Sequence, residues 1–196
     1  VNFGLAKSSK VDIFLCTFDF EYGIMHKITL FKEKDMIKFF GGPLSQWYSC
    51  KFTVESIEYS SAEQFMMHQK AMLFGDTEIA QCIMWSNSPA EQKKLGKAVY
   101  PFDDTRWMDV AEYIVTFGNL AKFLQNPHLI IHLGTDELLV ECSGKDQRWG
   151  IGLWADDTLS NNPETWRGDN LLGKCLMKVR GMINESKHAH QIMGAT

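Results

Sequence analysis

The sequence predicts an α+β fold dominated by helices, and three observations predict it. Segments rich in β-branched and aromatic residues fall within the first sixty positions. Helix start and stop signals recur from Ser60 onward. Residues 106–124 carry the longest apolar repeat, with Val110, Tyr113, Ile114, Phe117, Leu120, Phe123 and Leu124 at helical spacing. A chain of 196 residues suits one domain with an extension, and it can bury a substantial core without disulfide or metal staples.

In chain order, residues 11–20 and 25–31 read as strands separated by Glu21-Tyr22-Gly23. Together they suggest a β-rich extension over residues 1–38, ahead of a main domain at 39–187. Residues 52–54 and 57–59 read as two further short strands. Ser60-Ser61-Ala62-Glu63 has the spacing of a capping box, and the helix it opens is expected to stop at Gly75. A second helix is expected over residues 77–85, and Ser88-Pro89-Ala90-Glu91 marks a third, with Pro89 at its first position. Asn126-Pro127 opens a short helix that Gly134 ends, and residues 138–142 read as a strand.

Residues 144–168 hold four glycines, Pro163 and the tryptophans at 149, 154 and 166, a composition that fits an ordered functional loop better than a disordered one. The final helix is expected over residues 170–185, followed by a flexible tail at 188–196.

Composition narrows the function classes. The net charge of −4 disfavours a broadly basic nucleic-acid surface, while leaving room for a local phosphate pocket. Five widely spaced cysteines without a CxxC pair read as reduced thiols. No apolar run reaches the length of a membrane span and no signal-peptide pattern opens the chain, so a cytoplasmic or nuclear setting is expected. His128 and His132 stand four apart but lack the glutamate of a zinc helix, so neither a metal nor another cofactor is expected.

Several residues can carry chemistry, and each has a plainer reading. Glu63 and Lys70 lie two turns apart on one helix face, where a carboxylate can steady an oxocarbenium-like carbon and an amine can act as acid, phosphate ligand or nucleophile. Spacing alone favours the plainer reading, with Glu63 at the third position of a capping box and Lys70 a solvated cation near a helix end. Trp107 can stack on a base beside Arg106, or pack half-buried. In Asp146-Gln147-Arg148-Trp149-Gly150-Ile151-Gly152, glycines flank an aromatic, as in loops that approach a ligand closely, although the stretch is not GxGxxG. Trp166-Arg167-Gly168-Asp169-Asn170 leads into the last helix, where free N–H groups can receive an anion; alternatively Asp169 or Asn170 caps the helix and Trp166 covers the core.

Taken in order, Leu44-Ser45-Gln46-Trp47-Tyr48, Tyr59-Ser60-Ser61-Ala62-Glu63-Gln64-Phe65, Gln69-Lys70-Ala71, Arg106-Trp107, the 146–152 stretch, Trp166-Arg167-Gly168 and Asn170-Leu171-Leu172-Gly173 resemble the NADAR (NAD- and ADP-ribose-associated) superfamily, also called YbiA-like. The resemblance runs from about Phe39 to Arg180. It implies a YbiA-like compact helical domain with a small β component, and N-glycosidase activity. Two substrate classes go with it: guanine carrying ADP-ribose on its exocyclic amine, in nucleotide or DNA, and the ribosylaminopyrimidine phosphates of early riboflavin synthesis. By position it makes Glu63 the catalytic carboxylate and Lys70 its partner. It lines the pocket with Trp107, Asp146, Trp149, Gly150 and Asn170, and gives Arg180 a supporting or phosphate-binding role.

Both substrate classes join sugar to an exocyclic amine, a glycosylamine that can open to an imine. Lys70 can then form a Schiff base, or Glu63 can face an oxocarbenium ion directly. The resemblance also suggests that residues 153–165 form a lid or a nucleic-acid contact, the basis of a slight preference for the larger, ADP-ribosylated ligand. The competing class is a module that binds ADP-ribose or a related nucleotide without cleaving it. No membrane partner is expected, and the oligomeric state is not fixed by the sequence.

Overall fold

The helix expected to open at Ser60 is the organising element. The computed structural model describes residues 35–193, and in it α1 (Ala62–Phe74) is packed by α2 (Thr77–Trp85), α3 (Pro89–Ala98) and α4 (Asp104–Gln125). Seven consecutive residues from Ala62 to His68 are buried, polar and apolar alike. These first two turns are enclosed on all sides and need no polar face, which is why they lack an amphipathic pattern. α5 (Leu171–Met193) packs on α4 and on strand β4 (Leu138–Glu141).

Local signals account for most helix ends. Ser61 Oγ accepts from Gln64 N at 3.1 Å, and Gln64 Oε1 accepts from Ser60 N at 2.7 Å. The capping partner is therefore Gln64, one residue beyond the expected Glu63, so the Glu63 carboxyl is released for another role. Gly75, at φ 74°, closes α1 in the left-handed conformation that glycine adopts without penalty. Asp76, Ser88 and Asp103 cap α2, α3 and α4 through their side chains. α4 begins two residues before the expected start, and α5 continues to Met193 rather than ending near 185.

The β component is small. β2 (Phe52–Val54) and β3 (Ile57–Tyr59) pair antiparallel through a two-residue turn at Glu55 and Ser56, both with positive φ as a type I′ hairpin requires. β1 (Met36–Phe39) pairs in parallel with β4, bringing Phe39 opposite Glu141. This strand spans the boundary drawn at residue 38, and the expected strands at 11–20 and 25–31 lie outside the described residues. The described part belongs to one compact unit. Among the described residues, no helix is long and apolar enough to cross a membrane. The expected helix-rich α+β architecture is the observed one.

The segment at 153–165 is ordered by local contacts. It holds two short 3-10 turns (Thr158–Asn161 and Pro163–Thr165), the first tied to β1 by Lys38, whose Nζ donates to Ser160 Oγ at 2.7 Å and Asn161 Oδ1 at 2.6 Å. Trp154 meets Phe40 edge to face at 4.8 Å.

Candidate active site

A cleft of about 340 Å³ opens between the start of α1, α3, the start of α4 and the loop after β4. Its lining falls into two chemical groups. Glu63, Glu141, Asp146, Lys93 and Trp47 contribute three carboxyls, one ammonium and an indole, while Lys70, Phe102, Trp107, Asp104 and Arg148 contribute two aromatic rings, two cations and a carboxylate.

Glu63 is 5% exposed although it sits in the first turn of a helix. Its N–H donates to Gln46 O at 2.9 Å, seating the helix start against the 45–48 loop. Burial pushes its carboxyl up to about 7; Lys93 and a hydrogen bond from the Trp47 side chain oppose that rise, and Asp146 adds to it. Such a carboxyl exchanges protons near neutrality, which is what acid–base work demands.

Lys70 also lines the cleft, on the expected face of α1, but its surroundings differ. Its Nζ donates to Gly96 O at 2.8 Å and stands 4.0 Å from the Phe102 ring centre and 5.8 Å from that of Trp107. Desolvation lowers its pKa, Asp104 counteracts this, and Arg148 reinforces it. The cation acting on Glu63 is Lys93 of α3. In sequence, Lys93 reads as one charge of a solvated helix face in Glu91-Gln92-Lys93-Lys94, which is why it escapes notice.

Three other expected residues line the same cleft. Trp107 is 3% exposed, held in the core by the first turns of α4. Asp146 accepts from Trp149 N at 2.9 Å and Arg148 N at 3.1 Å through Oδ1, and Lys93 Nζ lies 3.4 Å from its Oδ2. Trp149, partly buried, follows it on the same turn. Arg148 pairs bidentately with Asp104 at 2.9 and 3.1 Å, drawing the loop to the start of α4.

Gly150, Asn170 and Arg180 do not line the cleft. A Cβ at Gly150 would meet Glu141 O at 2.9 Å and Asp146 O at 3.0 Å, so the glycine permits close packing of loop on strand. Asn170 is buried at φ 52°; its Oδ1 accepts from Glu141 N at 3.0 Å and its Nδ2 donates to Leu139 O at 2.8 Å, fixing the end of β4. Arg180 donates from Nη1 to Leu133 O and Glu137 O, each at 2.9 Å, holding the turn that leads into β4.

The anion site considered at the start of α5 is occupied by protein. The N–H groups of Asp169, Asn170, Leu171 and Leu172 donate to the carbonyls of Gln147, Gly150, Arg148 and Trp149 respectively. Loop carbonyls thus take four successive N–H groups at the helix entry that a phosphate would otherwise use. Trp166 covers a small core instead, donating from Nε1 to Ser160 O. No residue of 153–165 lines the cleft, so the length of that segment gives no measure of ligand size.

Glu141 is the principal residue missed by sequence reasoning. It ends β4, lines the cleft, and burial pushes its carboxyl up to about 7, with Asp146 and Glu63 raising it further and Lys93 lowering it. The residue as a whole is half-buried, and nothing in a four-residue strand of a single sequence marks such a glutamate as facing a cleft. A second, more open depression of about 380 Å³, beside His68, Met72 and Glu78, gathers no comparable set of charges. Among the described residues no group of three or more His, Cys, Asp or Glu side chains is arranged to hold a metal ion.

Comparison with known proteins gives concordant matches. The profile of the NADAR domain family matches residues 30–184. N-glycosidase R617 of Acanthamoeba polyphaga mimivirus is 43% identical over 143 residues, covering 69% of this chain and 84% of that protein. Protein irg-1 of Caenorhabditis elegans is 33% identical over 128 residues, covering 63% of this chain and 60% of irg-1. The NMR structure of the Escherichia coli protein YbiA matches with a TM-score of 0.65 at 23% identity, over 82% of this chain and 91% of YbiA, a likeness of fold.

Proposed function

We propose that this chain, which belongs to the NADAR domain family, is an N-glycosidase, a hydrolase that separates ribose from a base amine. The name of its mimivirus relative, 43% identical, supports the activity. The observation that carries it here is Glu63, a buried carboxyl with a pKa of about 7 lining a cleft large enough for a nucleotide fragment.

In this reading the sugar carbon C1′ lies beside Glu63. As the C1′–N bond breaks, the carboxylate steadies the cationic carbon and then takes a proton from the attacking water. Lys70 holds a ribose hydroxyl or phosphate, its ammonium already supported by Gly96 O and the Phe102 face. Trp107 and Trp149 bound the sugar and base.

A second route has its own support. Desolvation lowers the pKa of Lys70 and so favours its neutral amine, the form that attacks an opened glycosylamine to give a Schiff base. Borohydride added during turnover separates the two: an adduct on Lys70 establishes the imine, and its absence in an active assay leaves direct hydrolysis.

For the substrate, we propose guanine carrying ADP-ribose on its exocyclic amine, with ribosylaminopyrimidine phosphates as the other class. Lys70, Lys93, Lys97 and Arg148 along one cleft suit a pyrophosphate as readily as a single phosphate. Incubation with ADP-ribosylated guanosine and with a ribosylaminopyrimidine phosphate, read by mass spectrometry, tests both. Release of base from either supports the enzyme. Release from neither, with tight ADP-ribose binding, supports a non-catalytic module.

A further inference from the structure

Among the described residues, three buried side-chain atoms lack a hydrogen-bond partner: Thr116 Oγ1, Asn119 Oδ1 and Glu141 Oε2. Of these, only the glutamate lines the cleft. Buried polar groups are nearly always satisfied, so an orphaned carboxyl oxygen beside a cleft calls for a reason.

The surrounding charges supply one. Glu141 at the end of β4 shares the cleft with Glu63 from α1, Asp146 from the loop after β4 and Lys93 from α3. Three carboxyls therefore share one ammonium; the Arg148 guanidinium, held by Asp104, also acts on Asp146 but not on Glu141. Lys93 lies 3.4 Å from Asp146, whose other oxygen accepts two backbone N–H groups. Glu63 has the Trp47 donor. Oε2 of Glu141 has no donor, so a proton on Glu141 displaces no hydrogen bond that its carboxylate accepts at that oxygen. Its backbone is fixed on both sides: Glu141 N donates to Asn170 Oδ1, and Glu141 O accepts from Ile151 N at 2.9 Å and Ser143 N at 3.0 Å.

We propose that Glu141 is a second catalytic carboxyl, the acid that protonates the departing base amine, while Glu63 acts as the anionic partner. The proposal rests on the N-glycosidase reading and assigns a role within it. The C1′–N bond breaks with its electron pair passing to nitrogen, and nitrogen takes the proton of Glu141. Water adds to C1′ and gives a proton to Glu63. The products are the free amine and the ribose hemiacetal. Glu141 is left as the carboxylate and Glu63 as the acid, and one proton passed from Glu63 to Glu141 restores the starting state. No oxidant, metal or further reactant enters the balance.

The roles are tested with two ribosylamine 5′-phosphates, one of 4-nitroaniline and one of 4-methoxyaniline. The nitro compound departs with little help from an acid, whereas the methoxy compound needs the proton. Glu141→Gln is expected to lower kcat on the methoxy compound about 100-fold or more, and on the nitro compound less than about tenfold. Glu63→Gln is expected to slow both.

The wild-type pH profile gives an independent reading, because an acid that must be protonated makes turnover fall above about pH 7. Glu141→Gln should remove that falling limb, with a melting temperature showing that the variant is folded. Equal loss on both substrates, full activity on both, or an unchanged alkaline limb overturns the assignment and leaves the N-glycosidase reading intact. A wild-type protein that cleaves neither these nor the nucleotide substrates overturns both.

Discussion

Replacing Glu63 by Gln should stabilise the protein at alkaline pH while disabling it, and the size of the gain follows from burial. The Glu63 carboxyl has a pKa of about 7 in the folded protein against an ordinary 4.5. The folded state therefore holds this proton more tightly than the unfolded chain does. The associated stability is complete below about pH 4.5 and is lost as pH rises through about 7. The full difference is worth roughly 3 kcal/mol, of which about 2–3 kcal/mol falls between pH 5 and pH 8.

Glutamine has nearly the same shape, can accept from Trp47, and carries no charge to desolvate. It also relieves Glu141 of the like charge that raises it. Thermal melts of both proteins at pH 5 and pH 8 measure the difference directly. The advantage of Glu63→Gln should grow by roughly 5–10 °C between the two pH values for a domain of this size. Turnover should fall about 100-fold or more while the ligand still binds. A variant that melts lower than wild type at pH 8, or a difference that does not vary with pH, refutes the claim that an ionised Glu63 is held in the cleft at a cost.

Three other substitutions probe the supporting residues. Trp47→Phe removes a donor that favours the Glu63 anion, so the acid limb of the kcat/KM profile should move to higher pH. Asn170→Gly keeps the positive φ and loses the bonds to β4, whereas Asn170→Ala adds strain; urea unfolding should find the alanine variant weaker by about 1 kcal/mol or more. Arg180→Met leaves two carbonyls without their donor and should cost about 1–3 kcal/mol in a denaturant titration, with kcat of the folded protein unchanged. A large fall in kcat for that last variant would return Arg180 to the site.

Local chemistry made most of the secondary structure legible. The strand signals at 52–54 and 57–59, Gly75 as a stop, Pro89 at a helix start and Gly134 after the short helix are decided by neighbours in sequence, because caps and turns are contacts over a few residues. Glu63 and Lys70 were legible as a pair on one helix face for the same reason. The site itself was less so. Gly150, Asn170 and Arg180 stand in or near suggestive stretches, yet their groups are committed to backbone packing, which no one-dimensional pattern records.

The sequence by itself determined where the helices α1 to α5 and the strands β2 to β4 lie, though not β1, and which acid stands in the first turn of the central helix. Tertiary structure alone decided that Lys93 and Glu141, 48 positions apart in the chain, line the same cleft as that acid. It also decided that the start of α5 is closed by loop carbonyls. The reason is physical. Hydrogen-bonded turns are fixed at short range, whereas burial, and the proton affinity it sets, depends on what distant segments bring alongside.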